Sequence, residues 1–197
     1  MRQMKRIGVL ALQGGVQEHL TALDKVANIE PRPVKTMAEI EAVDGLILPG
    51  GESTAIGKLL QYFSLLEPLG QRIRQGLPVW GTCAGMILLA KEISGQQSSY
   101  FSAMDICVHR NAYGSQRDSF RCEALLPAVS SQPLPLVFIR APYIELAGPE
   151  VEILAVVDGH IVAAREKNML ATSFHPELVQ DIRFHRYFVD VIVAGKY

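Results

Sequence analysis

The stretch Val79–Ala90, VWGTCAGMILLA, decides how this sequence is read. Val79-Trp80 is an apolar dipeptide that leads into Gly81-Thr82-Cys83-Ala84-Gly85, and an apolar, helix-like run follows. The form G-x-nucleophile-x-G between a strand and a helix is the nucleophile elbow. It exposes the nucleophile above the carboxyl end of a sheet, and the flanking glycines keep Cβ atoms out of the tight packing. The helix that follows aims its N-terminus at the sulfur and favours the attacking thiolate. The amide of Ala84 is placed to donate to a developing oxyanion. A cysteine without such framing reads as a small core residue. That reading holds for Cys107 and Cys122. Cys107 and His109 share a strand face, but no further ligand accompanies them at a recognisable spacing, so no metal site is expected.

The pattern on either side of the elbow matches it. Ile7–Leu12 is a continuous apolar run ending in glycines, as a fully buried strand does. Val16, Leu20 and Leu23 then recur at helical spacing. Residues 43–48 form a second buried strand, closed by Pro49-Gly50-Gly51, and Ser53 or Thr54 caps a helix carrying Ile56, Leu59, Leu60 and Phe63. Another helix runs from about Leu65 to Gln75 and stops at Gly76. Strands alternating with helices indicate a parallel sheet covered on both faces. Beyond about Gly95 the rhythm changes. Ile106–Val108, Phe120–Leu126 and Leu136–Ile139 read as strands without intervening helices. Glu152–Val157 and His160–Ala164 flank Asp158-Gly159, a hairpin signal. Met169–Phe174 is a further strand, and Asp181–Ala194 a closing helix. The expectation is one α/β domain over residues 1–197: three layers, a mostly parallel open sheet, and an antiparallel extension.

The chain has 197 residues, 49% hydrophobic, with a formal net charge of −1. That suits a single full-sized core. Near-neutral charge and the lack of basic runs argue against nucleic acid or an anionic membrane as partner. No apolar run approaches the roughly 18 residues of a membrane span. The start, MRQMKRIGVLALQGG, mimics a signal peptide, but its apolar part is shorter than the usual stretch of about 7–15 residues. It reads as a first strand. Three cysteines form no disulfide framework, and a reducing cytoplasm is the simplest setting.

A thiolate nucleophile needs a histidine, and the histidine an orienting group. His19 and His185 fall on predicted helices among charged neighbours, where solvated faces explain them. His109 and His160 lie in or beside strands. His175 ends a strand in Ser173-Phe174-His175-Pro176-Glu177. Pro176 disfavours helix at His175, so the segment is expected to be extended, which puts His175 and Glu177 on one side. Cys83, His175 and Glu177 are therefore the candidate triad. Gly50-Gly51 also ends a strand. GGESTAIGK is not a phosphate loop, because five residues separate Gly51 from Gly57 and Leu59 follows Lys58. A Gly-Gly peptide turns its N–H inward at little cost, as a second oxyanion donor, or outward, which leaves the site to be switched by a partner.

Together LPGGES, GTCAG and SFHPE resemble the class I, or triad, glutamine amidotransferases. More closely, LALQGG, GLILPGGEST, GTCAGMILLAKEI, VHRNAYGSQRDSF, FIRAP and SFHPEL resemble the family of glutaminase subunits of pyridoxal 5′-phosphate synthase. The resemblance implies a flavodoxin-like fold, hydrolysis of L-glutamine to glutamate and ammonia through a thioester on Cys83, and no cofactor. It implies an oxyanion hole from Gly50, Gly51 and Ala84. Glutamine contacts would come from Gly51, Glu52, Ser53, Arg110, Ile139 and Arg140. It further implies a synthase subunit as partner, met at Gln13 and Gly14, which receives the ammonia for vitamin B6 synthesis. Two rival readings are another elbow-cysteine α/β hydrolase, of the DJ-1-like kind, and a non-catalytic amidotransferase-like interaction module. The first often carries His directly after the cysteine, where Ala84 stands here. The second tends to lose a triad member.

Overall fold

A computed structural model describes residues 4–110 and 119–196. Most of HRNAYGSQRDSF, one of the stretches that carry the resemblance, lies outside the described residues. In chain order the first half contains strand β1 (Lys5–Leu10), helix α1 (Val16–Leu23), β2 (Ile29–Val34), α2 (Met37–Glu41), β3 (Gly45–Leu48), α3 (Ser53–Tyr62), α4 (Leu66–Arg74), β4 (Val79–Thr82) and α5 (Ala84–Leu89). The second half contains β5 (Ala90–Ile93), β6 (Met104–His109), β7 (Ser119–Ala124), β8 (Leu134–Ile139), β9 (Tyr143–Ala147), β10 (Glu152–Val157), β11 (His160–Glu166), β12 (Met169–Thr172) and α6 (Arg183–Tyr187).

Among the described residues the main sheet runs β2-β1-β3-β4-β12-β11-β9-β6-β5, with β10 on β11. The strands β2, β1, β3, β4 and β12 pair in parallel. From β12 onward the pairs β12/β11, β11/β9 and β9/β6 are antiparallel. The parallel core with an antiparallel extension is thus the observed architecture. β7 and β8 form a separate antiparallel ribbon.

The period of two along each central strand divides the core. Ile7, Val9, Ile47, Trp80 and Leu170 face one side, against Leu23 of α1 and Phe184, Phe188 and Ile192 near the C-terminus. Leu10, Leu46, Leu48, Val79 and Ala171 face the other, against Ile56, Leu60, Leu69, Ile73 and α5. All of these are buried, and truncating a large side chain in such a core costs about 2–5 kcal/mol. Trp80 is fully buried, and its indole N–H donates to Thr172 Oγ1 at 3.1 Å, so its one polar group is satisfied. The hairpin at Asp158-Gly159 forms as expected: φ is 50° and 80°, and Val157 pairs with His160.

Several expectations need correction. The closing helix is shorter than expected: α6 passes into a π-helical turn at Phe188–Ile192. Cys107 and Cys122 are half-buried on β6 and β7, not in the core. His19 and His185 are not on solvated faces; both are fully buried. Their charged sequence neighbours point outward while their own positions on α1 and α6 face the sheet. Among the described residues no helix is long and apolar enough to cross a membrane.

Candidate active site

Three adjacent parallel strands, β3, β4 and β12, end at one rim of the sheet. Gly50-Gly51 follows β3, Cys83 follows β4, and His175 lies just past β12. In an open α/β sheet ligands collect at this carboxyl edge.

Cys83 has φ 48° and ψ −102°, a conformation that non-glycine residues seldom adopt. The turn is held by its own packing. A Cβ on Gly81 would lie 2.4 Å from the Gly85 carbonyl, and one on Gly85 would lie 2.0 Å from the Leu48 carbonyl oxygen. Both glycines of the elbow are therefore required by backbone contact. The Cys83 N–H donates to the Thr172 carbonyl at 2.7 Å, which locks the elbow to β12 and so to the histidine strand.

His175 Nδ1 and Glu177 Oε1 are 2.7 Å apart. The extended backbone expected there is not what joins them. Pro176–Leu178 forms a single 3₁₀ turn, and the Leu178 N–H reaches the His175 carbonyl at 3.3 Å. Proline fits the first position of such a turn because its missing N–H would have no partner there. The other ring nitrogen is left for Cys83, whose side chain is a hydrogen-bond partner of His175. Burial works against a charged His175, but the contacts with Cys83 and Glu177 outweigh it and raise its pKa to about 10. Burial likewise works against an ionised Glu177, and the neighbouring His19 and His175 more than offset it, so its pKa falls below the usual carboxylate value. His175 is held as imidazolium and Glu177 as carboxylate at neutral pH.

A cavity of about 370 Å³ opens at this rim. Cys83, Ala84 and His175 line one side; Gly51, Glu52 and Ser53 line another; Arg110, Ile139 and Arg140 complete the wall. The ribbon β7–β8 brings in Ile139 and Arg140, and it is tied to the site by the His175 N–H donating to the Val137 carbonyl at 2.8 Å. Ser53 Oγ is buried and has no partner among the described residues, so a polar ligand group would satisfy it. Arg140 lies 3.7 Å from Glu52, both well exposed, which leaves the two charges side by side in the cavity wall. Gln13, expected at a partner face, also lines the cavity; its Oε1 accepts from the Glu52 N–H at 2.9 Å. Gly14 abuts the same loop, and Gly50 accepts a hydrogen bond from the Gly15 N–H at 3.0 Å. Ile87 and Pro142 also line the cavity and carry no sequence signal of a site. Among the described residues no group of three or more His, Cys, Asp or Glu is placed to hold a metal ion.

Residues 9–194 match the model of the SNO glutamine amidotransferase family. The chain belongs to that family. Among SNO-type relatives, a protein named pyridoxal 5′-phosphate synthase subunit PdxT from Clostridium botulinum is 57% identical, over 98% of this chain and all of its own length. A protein of the same name from Ruminiclostridium cellulolyticum is 58% identical over 96% of this chain. A crystal structure titled as a glutamine amidotransferase superposes with TM-score 0.89 at 40% identity, over 95% of this chain and 98% of that one. A glutamine amidotransferase structure from Thermotoga maritima, at 15% identity and TM-score 0.63, shares the fold.

Proposed function

We propose that this chain hydrolyses L-glutamine to glutamate and ammonia at Cys83 and passes the ammonia to a synthase subunit that makes pyridoxal 5′-phosphate. The observation that carries the reading is the strained elbow cysteine paired with a histidine that Glu177 holds at 2.7 Å, at the mouth of one cavity. The relatives' names and the family point to the same chemistry.

In this mechanism the Cys83 thiolate attacks the γ-carboxamide carbon. The N–H groups of Ala84 and the Gly50-Gly51 segment face the developing oxyanion. The His175 imidazolium gives its proton to the departing nitrogen, ammonia leaves, and a thioester remains on Cys83. Neutral His175 then takes a proton from water, whose oxygen attacks the thioester; glutamate leaves, and the thiolate–imidazolium pair returns. Glu177 stays ionised throughout and stabilises the imidazolium. Glu52 suits the substrate ammonium, and Arg110 with Arg140 its carboxylate. Gln13 and Gly14, packed on the Gly50-Glu52 loop, are a route by which a partner acts on the oxyanion donors. A reducing cytoplasm is the proposed setting, consistent with three free thiols.

The test is ammonia release from glutamine, with and without a synthase subunit. Turnover that rises with the partner and vanishes in Cys83→Ala and His175→Ala supports the proposal. Full turnover in either variant contradicts the triad, and equal rates with and without the synthase contradict the coupling.

A further inference from the structure

The triad uses one oxygen of Glu177. Oε1 faces His175, whereas Oε2 is buried and has no hydrogen-bond partner among the described residues. A buried carboxylate oxygen facing no donor is costly. His19 Nε2 stands 3.4 Å from it. His19 comes from α1 and is fully buried. Its Nε2 is also 3.2 Å from Thr82 Oγ1, at the end of β4, and its Nδ1 is 3.0 Å from His185 Nε2 on α6. The edge of Trp80 closes the pocket, with ring centroids 5.7 Å apart.

These contacts decide the tautomers. His185 Nδ1 is buried without a partner among the described residues. If His19 carried its proton on Nδ1, His185 would carry its own on Nδ1 and strand a buried N–H. His19 would then turn a lone pair toward the carboxylate. With the protons on the Nε2 atoms of both rings, only a bare ring nitrogen is left over, and the His19 Nε2–H, bonded to Thr82 Oγ1, lies beside the Glu177 oxygen at 3.4 Å. Both rings stay neutral. Burial lowers the pKa of each, and each is lowered further by a neighbouring imidazole; Glu177 opposes this at His19 without reversing it.

We propose that His19 is a positioning residue for the triad: its Nε2–H, 3.4 Å from the Glu177 oxygen that His175 leaves free, is the donor beside that oxygen, and so holds the carboxylate ionised and aimed at His175. This rests on the reading of Cys83, His175 and Glu177 given above. Thr82 and His185 in turn fix the His19 ring, so that β4 and α6 brace the triad from behind.

The experiment measures kcat and KM for glutamine on the chain together with its synthase, for His19→Gln and His19→Asn. A Gln amide reaches the Nε2 position and keeps the donor; an Asn amide stops near Nδ1. His19→Gln is expected within about threefold of wild-type kcat, and His19→Asn to lose at least about tenfold with KM unchanged, because His19 lies outside the cavity. His19→Met, near Gln in shape but without a donor, carries the same comparison if His19→Asn does not fold. In a Glu177→Gln background the His19→Asn loss should disappear. Equal kcat in the Gln and donor-free variants, or a loss that persists without the Glu177 carboxylate, overturns the proposal. Cys83→Ala separates the two readings. An active Cys83→Ala sinks the triad, whereas an inactive one beside a fully active His19→Asn sinks only the role of His19.

Discussion

Gly50 sits between the two reacting side chains. A Cβ there would lie 2.5 Å from His175 Cε1, 3.0 Å from Nδ1 and 3.4 Å from Cys83 Cβ. The ring cannot retreat freely, because Glu177 holds that same Nδ1 at 2.7 Å. Gly50→Ala should therefore push His175 off its line to the sulfur. A misplacement of that size is expected to lower kcat by about 10²-fold. Steady-state kinetics with thermal melting checks this: lost turnover with a preserved melt is the expected result, and near-wild-type kcat contradicts it. The glycine serves chemistry here rather than chain flexibility, since it does not have positive φ.

At the scale of elements, the legible parts were those whose physics is local. β1, β3 and β4 are buried on both faces, so they read as apolar runs closed by glycine. The elbow was legible because its two glycines answer backbone contacts that no other residue tolerates. β2 was not legible, since Ile29-Glu30-Pro31-Arg32-Pro33-Val34 carries two prolines. Asn28 and Val34 accept hydrogen bonds from Lys5 and Ala11, at the two ends of β1, so Pro31 and Pro33 fall on the open edge, where a missing N–H costs nothing. α2 had a usable signal in Thr36-Met37-Ala38-Glu39, a capping box that forms in full. β5 begins directly where α5 ends, with no turn residue between them to mark the change. For the site, Cys83, His175 and Glu177 were legible from motif, but His19 was not. Its place against Glu177 depends on α1 docking beside a turn 158 residues further on, which no spacing in the sequence encodes.

For the whole molecule, the buried histidines set an acid limit. His19 and His185 have pKa values lowered by burial, while in the unfolded chain each titrates near 6.5. Unfolding below that pH therefore takes up protons that the native state refuses. The associated stability is present above pH 6.5 and lost as pH falls below it. With two such groups the fall steepens as pH drops below 6.5. His175, raised to about 10, works the opposite way: it is charged in the folded chain throughout but gains its proton in the unfolded chain only around pH 6.5, so it offsets part of the loss down to about pH 6 and adds nothing below. Denaturant titrations between pH 7 and pH 5 should show stability falling steadily; a flat profile would mean that the two rings are protonated in the folded chain.

Glutamine hydrolysis at this rim requires that, of three thiols, only Cys83 is a nucleophile shaped for glutamine. Peptide mapping by mass spectrometry after exposure to a chloroketone analogue of glutamine, with the synthase present, tests this directly. The predicted result is a single adduct on Cys83, prevented by excess glutamine and much slowed in His175→Ala. Labelling of Cys107 or Cys122 with Cys83 untouched, or labelling that glutamine does not protect, would contradict it.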